Sequence, residues 1–195
     1  MEAPVLNAAN GLTVARILCT PPLVLLLLMT PDGHLAAAAA FGFLALTDAL
    51  DGYLARSRQL ITTLGTMLDP IADKLLIGGA LVALVATDRL HFAIAGIILA
   101  REVLVTALRQ VAYRKGTIHA AGLLGKLKMA SQVTMVLVLV AIGPSDSIWL
   151  RLLIGAAVVM TIASALSYLS ALPAWRSQMA ARRQPPPGKR LVTDP

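Results

Sequence analysis

The stretch that decides the fold covers residues 35–87 and reads LAAAAAFGFLALTDALDGYLARSRQLITTLGTMLDPIADKLLIGGALVALVAT. It contains two long apolar runs joined by a polar segment. The facing ends of the two runs carry four aspartates, which are Asp48, Asp51, Asp69 and Asp73. Because a carboxylate in or near hydrocarbon is costly unless it has a partner or a function, this stretch indicates both the class of the protein and the place of its chemistry.

Outside this stretch the chain contains further apolar runs of about the length that a membrane-spanning helix needs, roughly 17–25 residues. The six predicted spans are 12–29, 35–54, 71–87, 91–112, 124–143 and 148–172. Three of the connections are short and rich in turn-forming residues, so the helices they join should be antiparallel neighbours. The sequence therefore predicts an all-α integral membrane protein with six transmembrane helices.

Composition supports this class and argues against others. The chain is 57% hydrophobic, with a mean hydropathy of +0.77 and only 14% charged residues, whereas a soluble domain carries roughly 25%. The net charge of +7 is not accompanied by a pattern of stacking aromatic residues. We therefore interpret it as contact with anionic lipid headgroups and predict no binding to nucleic acid.

The distribution of Lys and Arg predicts the orientation. Basic residues concentrate in the loop that contains Arg56 and Arg58, in the 109–128 connection and in the C-terminal tail, while the opposite side carries only Arg89 and Arg151. Since positive residues favour the cytoplasmic side, both termini and the aspartate end should be cytoplasmic. We expect a cytoplasmic or interfacial segment at 1–11, a six-helix catalytic domain at 12–175, and a basic, Pro-rich, disordered tail at 176–195.

The spacing of the aspartates predicts a metal site. Asp48 and Asp51 are three residues apart and Asp69 and Asp73 are four apart, so each pair lies on one face of a helix. We expect Asp69 to cap the helix that follows, with Pro70 in its first turn. Four converging carboxylates need cations between them, and all-oxygen ligands favour Mg²⁺ or Mn²⁺ (or Ca²⁺), with room for two ions that could clamp a diphosphate.

The residues around the aspartates suit a phosphate-bearing ligand. Gly52, Ala55 and Gly65 are small enough to let a ligand approach the backbone, and Arg56 offers a planar donor fork for phosphate.

At fixed spacing these residues form D-x2-D-G-x2-A-R-x8-G-x3-D-x3-D, from Asp48 to Asp73. This pattern resembles the signature of the CDP-alcohol phosphotransferases, with every defined position matched. The resemblance implies a six-helix membrane fold, a homodimer, and a cytoplasmic site where the four aspartates bind two divalent ions. It also implies that Asp73 is the general base and that Gly52, Ala55, Arg56 and Gly65 surround the cytidine diphosphate.

Other segments are similar to the phosphatidylglycerophosphate synthase branch of that family. They are Asn10-Gly11-Leu12-Thr13-Val14-Ala15-Arg16, Arg101-Glu102, Arg109, and Gly125-Lys126-Leu127-Lys128 followed by Gln132. This likeness implies a bacterial-type cell membrane, CDP-diacylglycerol as donor and sn-glycerol 3-phosphate as acceptor. The acceptor's phosphate needs cationic partners, for which the candidates are Arg109, Lys126, Lys128 and Arg101.

Some alternatives remain open at this point. Arg101 either binds the acceptor or forms a buried ion pair with Glu102 or an aspartate. Asn10, Thr13 and Arg16 either cap the first helix or line the nucleotide site. Related activities are a cardiolipin synthase of the CDP-alcohol type and an enzyme that uses an inositol-phosphate acceptor. A more distant alternative is a non-catalytic divalent-cation transporter, although its acids should lie near the bilayer midplane on several helices.

Overall fold

The computed structural model describes the backbone over residues 8–57, 63–114 and 123–183, and side chains over 11–47, 71–108 and 124–170 together with 68, 110 and 111. Over these ranges the chain forms six α-helices. They are α1 (Ala8–Met29), α2 (Leu35–Ser57), α3 (Thr63–Ala86), α4 (Phe92–Arg114), α5 (Leu123–Ile142) and α6 (Ile148–Arg183). The all-helical prediction and the number of predicted helices are therefore confirmed.

Two predicted boundaries are wrong. Helix α3 begins at Thr63, six residues before Asp69, so Asp69 and Pro70 lie inside the helix rather than at its start. Proline costs a helix one backbone hydrogen bond and does not have to end it, and Leu64, Met67 and Leu68 favour helix on either side of Gly65. Helix α6 continues to Arg183, so the first part of the predicted tail is helical; the remainder of the tail lies outside the described residues.

The helices pack as a closed ring in the order α1, α2, α5, α6, α4, α3, and α3 also crosses to α5. The side chains at the centre of this packing are almost completely buried; the largest are Phe41, Leu27, Leu81, Leu84, Ile98 and Met135. In a bilayer the lipid tails are as apolar as these residues, so close packing rather than release of water holds the helices together.

The outer surface of the bundle is apolar. Large hydrophobic side chains such as Leu18, Phe43 and Val103 are each more than 60% exposed. Within the described residues, three helical segments are long and apolar enough to cross a membrane, namely Gly11–Met29, Leu124–Ile142 and Ile148–Ser170. Such a surface is compatible with lipid around the bundle.

The α1–α2 and α5–α6 connections touch at one end of the bundle. The His34 amide donates to the Val140 carbonyl at 2.9 Å. Gly33 and Gly143 meet back to back, both with positive φ, 90° and 78°. These glycines are required, because L side chains rarely adopt such φ values and any Cβ would collide with the opposite backbone.

At the same end of the bundle, Arg89 of the α3–α4 connection contacts the α1–α2 connection. This residue is only 6% exposed, and its Nε donates to the Pro31 carbonyl at 2.7 Å. Burial lowers the pKa of the Arg89 guanidinium, while the Asp32 carboxylate opposes that change; a guanidinium remains charged at neutral pH in any case. All three short connections therefore lie at one end of the bundle, opposite the aspartates.

We expect Gly143→Ala to destabilise the protein by more than about 1 kcal/mol, since alanine is strained at positive φ. Its Cβ would also meet the Asp32 carbonyl carbon at 2.5 Å. Gly155→Ala is the matched control: that glycine lies within α6 and its added Cβ meets nothing within 4 Å. Thermal unfolding of both variants in detergent is the measurement, and equal midpoints would contradict this account of the contact.

Candidate active site

The aspartates lie on two helices, as the spacing predicts. Asp48 and Asp51 are within α2, and Asp69 and Asp73 are within α3, so each pair shares one helical face. Asp73 is the one member whose side chain is described, and the convergence of all four lies outside the described residues. Among the described side chains alone, no group of three potential metal ligands comes together.

The donor set fits a hard divalent cation. The two helices are continuous through both pairs, so each pair offers two carboxylates one helical turn apart. Carboxylate oxygens without histidine or cysteine are the ligands that Mg²⁺ and Mn²⁺ prefer.

Asp73 contacts a buried arginine of another helix. The Arg16 side chain, 2% exposed, brings NH1 to 3.4 Å from Oδ1 of Asp73, whose side chain is 38% exposed. Thr13 and Thr20 are buried on the same side of α1, and the Thr20 hydroxyl donates to the Arg16 carbonyl at 2.8 Å. Arg16, on this face of α1, therefore contacts the Asp73 carboxylate, which the family resemblance implies to be the general base.

This arrangement decides one of the open alternatives. Asn10, Thr13 and Arg16 are all inside α1, which includes Ala8, whereas a helix cap has non-helical backbone angles. The capping interpretation is therefore wrong for these three residues. The Asn10 side chain lies outside the described set.

A second polar group joins α4, α5 and α6. Glu102 Oε1 accepts from Arg101 NH1 at 3.2 Å and also pairs with Lys128 Nζ. Arg101 NH2 donates to the Ser164 hydroxyl at 2.6 Å. The Arg101 and Lys128 side chains are only 10% and 8% exposed. The buried ion pair expected as one alternative for Arg101 is thus present.

The two polar groups are electrostatically connected. Lys128 has a favourable charge interaction with Asp73 and an unfavourable one with Arg101, with which it shares Glu102 Oε1. Arg16 and Asp73 each lie thirteen residues from the loop end of their helix, which is ~20 Å. We call the set Arg16, Asp73, Arg101, Glu102, Lys128 and Ser164 the polar layer.

The structure does not bring every predicted residue into the polar layer. Lys126 is on α5 like Lys128, but it is exposed whereas Lys128 is buried, because residues two apart face different sides of a helix. Arg109 lies within α4, and its side chain is outside the described residues. The same is true of Gly52, Ala55 and Arg56 on α2 and of Gly65 on α3.

Sequence reasoning did not identify Glu102 or Ser164 as functional candidates. Glu102 carried a usable signal, since an acid within an apolar run must have a partner and Lys128 was already a candidate cation. Ser164 had no such signal, because a serine in a membrane helix can bond to its own backbone, as Ser164 also does at the Thr161 carbonyl.

Comparisons with known proteins match most of the chain. The family model described as CDP-alcohol phosphatidyltransferase matches residues 6–169, a range that includes the four aspartates and the whole polar layer. The chain is 36% identical over 181 residues to a Pseudomonas fluorescens protein named CDP-diacylglycerol–glycerol-3-phosphate 3-phosphatidyltransferase, covering 87% of this chain and 91% of that one.

Two further relatives are similar over most of their length. A Bacillus subtilis protein of the same name is 38% identical over 143 residues, covering 67% of this chain and 74% of that one. A Mycobacterium tuberculosis protein named probable phosphatidylglycerophosphate synthase is 37% identical over 176 residues, covering 87% of this chain and 83% of that one.

Proposed function

The chain belongs to the CDP-alcohol phosphatidyltransferase family, and on that premise we propose that it transfers the phosphatidyl group of CDP-diacylglycerol to sn-glycerol 3-phosphate. The products are phosphatidylglycerol phosphate and CMP. Relatives that share about a third of their residues with this chain carry the name of this activity. The observation that carries the proposal is the contact between Asp73 and the buried Arg16, in a bundle that also holds the buried cations Arg101 and Lys128 on Glu102.

The reaction needs a base and an acceptor hydroxyl. Asp73 takes the proton from the primary hydroxyl of glycerol 3-phosphate while that oxygen forms a bond to the phosphatidyl phosphorus. The bond between this phosphorus and the CMP oxygen breaks, and CMP leaves with the electron pair. Arg16 contacts the Asp73 carboxylate at 3.4 Å and thereby limits its rotation, which favours a fixed approach to the hydroxyl.

Divalent metal would be held by Asp48, Asp51, Asp69 and Asp73, as Mg²⁺ or Mn²⁺ and with two ions. When bound, the metal supplies positive charge that offsets the diphosphate and the leaving CMP. Gly52, Ala55, Arg56 and Gly65 would surround the cytidine diphosphate, and Asn10, Thr13 and Arg16 would border the same site from α1.

The acceptor's own phosphate needs cations near the base. Lys128 and Arg101 are our candidates, since both are buried cations that share Glu102 Oε1 and the charge of Lys128 interacts favourably with that of Asp73. Arg109 and Lys126 would assist from the helix ends nearer the solvent. A phosphate group bound by Lys128 and Arg101 would leave the hydroxyl end of the acceptor free to approach Asp73.

The protein is an integral membrane protein, as its long apolar helices and its family indicate. We propose further that all six helices span a bacterial-type cell membrane and that the protein is a homodimer. Both termini and the active site would lie in the cytoplasm. Support comes from the three short connections, which lie together at the end with few basic residues. The site then opens at the basic end, where nucleotide substrates are available.

We expect the purified protein to release CMP from CDP-diacylglycerol when glycerol 3-phosphate is present. The assay compares this acceptor with phosphatidylglycerol and with inositol phosphate at equal concentrations, in mixed micelles with Mg²⁺. Preference for phosphatidylglycerol would indicate a cardiolipin synthase, and preference for inositol phosphate a different family member. Nucleotide-independent cation flux in liposomes, with no CMP release, would instead indicate a transporter.

A further inference from the structure

We propose that Glu102 is a positioning residue whose carboxylate holds Arg101 and Lys128 together as one receptor for the acceptor's phosphate group. This inference rests on the proposed function and deepens it. Glu102 itself would not touch the phosphorus that reacts. It acts through the two cations, which it places side by side before the acceptor arrives.

One carboxylate oxygen of Glu102 contacts cations on two helices. Oε1 of Glu102 accepts from Arg101 on α4 and pairs with Lys128 on α5. Arg101 is also fixed from α6 by the 2.6 Å bond to the Ser164 hydroxyl. Residues of two helices, Glu102 of α4 and Ser164 of α6, therefore fix the position of the guanidinium, and Glu102 links that position to the ammonium group of Lys128 on α5.

The two cations need such a link. Both are about nine-tenths buried, and Arg101 repels Lys128 electrostatically. Like charges at close range separate unless an anion lies between them, and their repulsion is strong where water is scarce. A carboxylate that remains between the cations keeps them together in the absence of substrate, so the acceptor does not have to bring them together itself.

Glu102 does not exhaust the donors of either cation. A lysine ammonium has three N–H donors and an arginine guanidinium five, and Oε1 uses one of each. Arg101 Nε is buried and has no hydrogen-bond partner among the atoms that the structure describes. Two cations and one carboxylate also leave a net positive charge. The group can therefore still attract and bond a phosphate dianion.

The test is Glu102→Gln, which keeps the shape of the side chain and removes its charge. We expect the KM for glycerol 3-phosphate to rise roughly ten- to a hundredfold, the range that a lost hydrogen bond to a charged group produces. The KM for CDP-diacylglycerol and kcat should change by less than about threefold, because neither the donor site nor the base is altered. Glu102→Asp keeps the charge on a shorter stem, and its KM for glycerol 3-phosphate should lie between those of the wild type and Glu102→Gln.

A second measurement does not depend on the identity of the acceptor. Binding of inorganic phosphate to the detergent-purified protein, followed by calorimetry, should be roughly tenfold weaker in Glu102→Gln than in the wild type. Thr161→Val is the matched control: it removes the partner of Gln132 at the same α5–α6 interface, where the amide donates at 3.1 Å, without changing any charge. It should leave phosphate binding and both KM values unchanged.

The outcomes separate this inference from the proposed function. A wild-type protein that binds phosphate but transfers nothing to glycerol 3-phosphate would overturn the proposed function. The role of Glu102 would then be tested by the phosphate-binding measurement alone. Unchanged phosphate affinity in Glu102→Gln would overturn the role of Glu102, and so would tighter binding, which would mean that the carboxylate competes for the cations. If Glu102→Gln does not fold, Glu102→Asp decides, and an unchanged KM for glycerol 3-phosphate and phosphate affinity there overturns the proposal.

Discussion

Replacing Asp73 with asparagine is expected to lower kcat by about 10²–10⁴, the range that general-base catalysis supplies. Asparagine is nearly the same size but cannot take the proton of the acceptor hydroxyl. It also leaves Arg16, whose side chain is 2% exposed, without the charged partner that it has at 3.4 Å. The measurement is CMP release from CDP-diacylglycerol with saturating glycerol 3-phosphate.

Asp146→Asn provides the control for this substitution. Asp146 lies in the α5–α6 connection, is fully exposed, and forms a surface pair with Arg151 at 3.0 Å, a kind of contact that adds little to stability because water screens it. The activity of the Asp146→Asn variant should equal that of the wild type. Retention of more than a tenth of kcat in a folded Asp73→Asn protein would exclude Asp73 as the base and shift attention to the other aspartates.

Removal of divalent metal is the second change with a large expected effect. Asp48 and Asp51 share one face of α2, and Asp69 and Asp73 share one face of α3, so without cations their negative charges would meet the diphosphate of the donor. We expect EDTA to lower CMP release to background. Mg²⁺ or Mn²⁺ should restore it, because carboxylate oxygens favour hard ions.

The specificity of this effect can be checked at a single ligand. Asp51→Asn should raise the Mg²⁺ concentration needed for half-maximal activity, whereas Asp146→Asn should leave it unchanged, since that carboxylate is at the far end of the bundle. Full activity in EDTA, with no metal detectable in the purified protein, would contradict the assignment of these aspartates.

The helical class and the pairing of the aspartates on two helices were predictable because each depends on short spacings. An apolar run of about 20 residues and a pair of acids three or four apart have structural consequences within one helix, whatever surrounds it. The start of α3 was harder to predict from the sequence. Asp69-Pro70 is typical of a helix beginning, yet α3 begins at Thr63, because an internal proline can be accommodated in a helix whose flanking residues favour it.

The partners of the charged residues could not be predicted from short spacings. Arg16 and Asp73 are 57 positions apart in the chain, and Arg101 and Ser164 are 63 apart, so no local pattern predicts either contact. Even the adjacent pair Arg101 and Glu102 was ambiguous in sequence, since Arg101 had several possible anions. Lys126 and Lys128 looked equivalent, but α5 exposes one and buries the other.

The sequence by itself determined that this chain forms apolar helices and that four aspartates lie in two pairs, each on one helical face, because those properties depend on residues one or two helical turns apart. The tertiary structure alone decided that Arg16 contacts Asp73 and that Glu102 pairs with both Arg101 and Lys128. The physical reason is the order in which the helices close their ring, with α3 beside α1 and α4 beside α6. That order depends on side-chain packing summed over the whole bundle and brings charges that are far apart in the chain into contact.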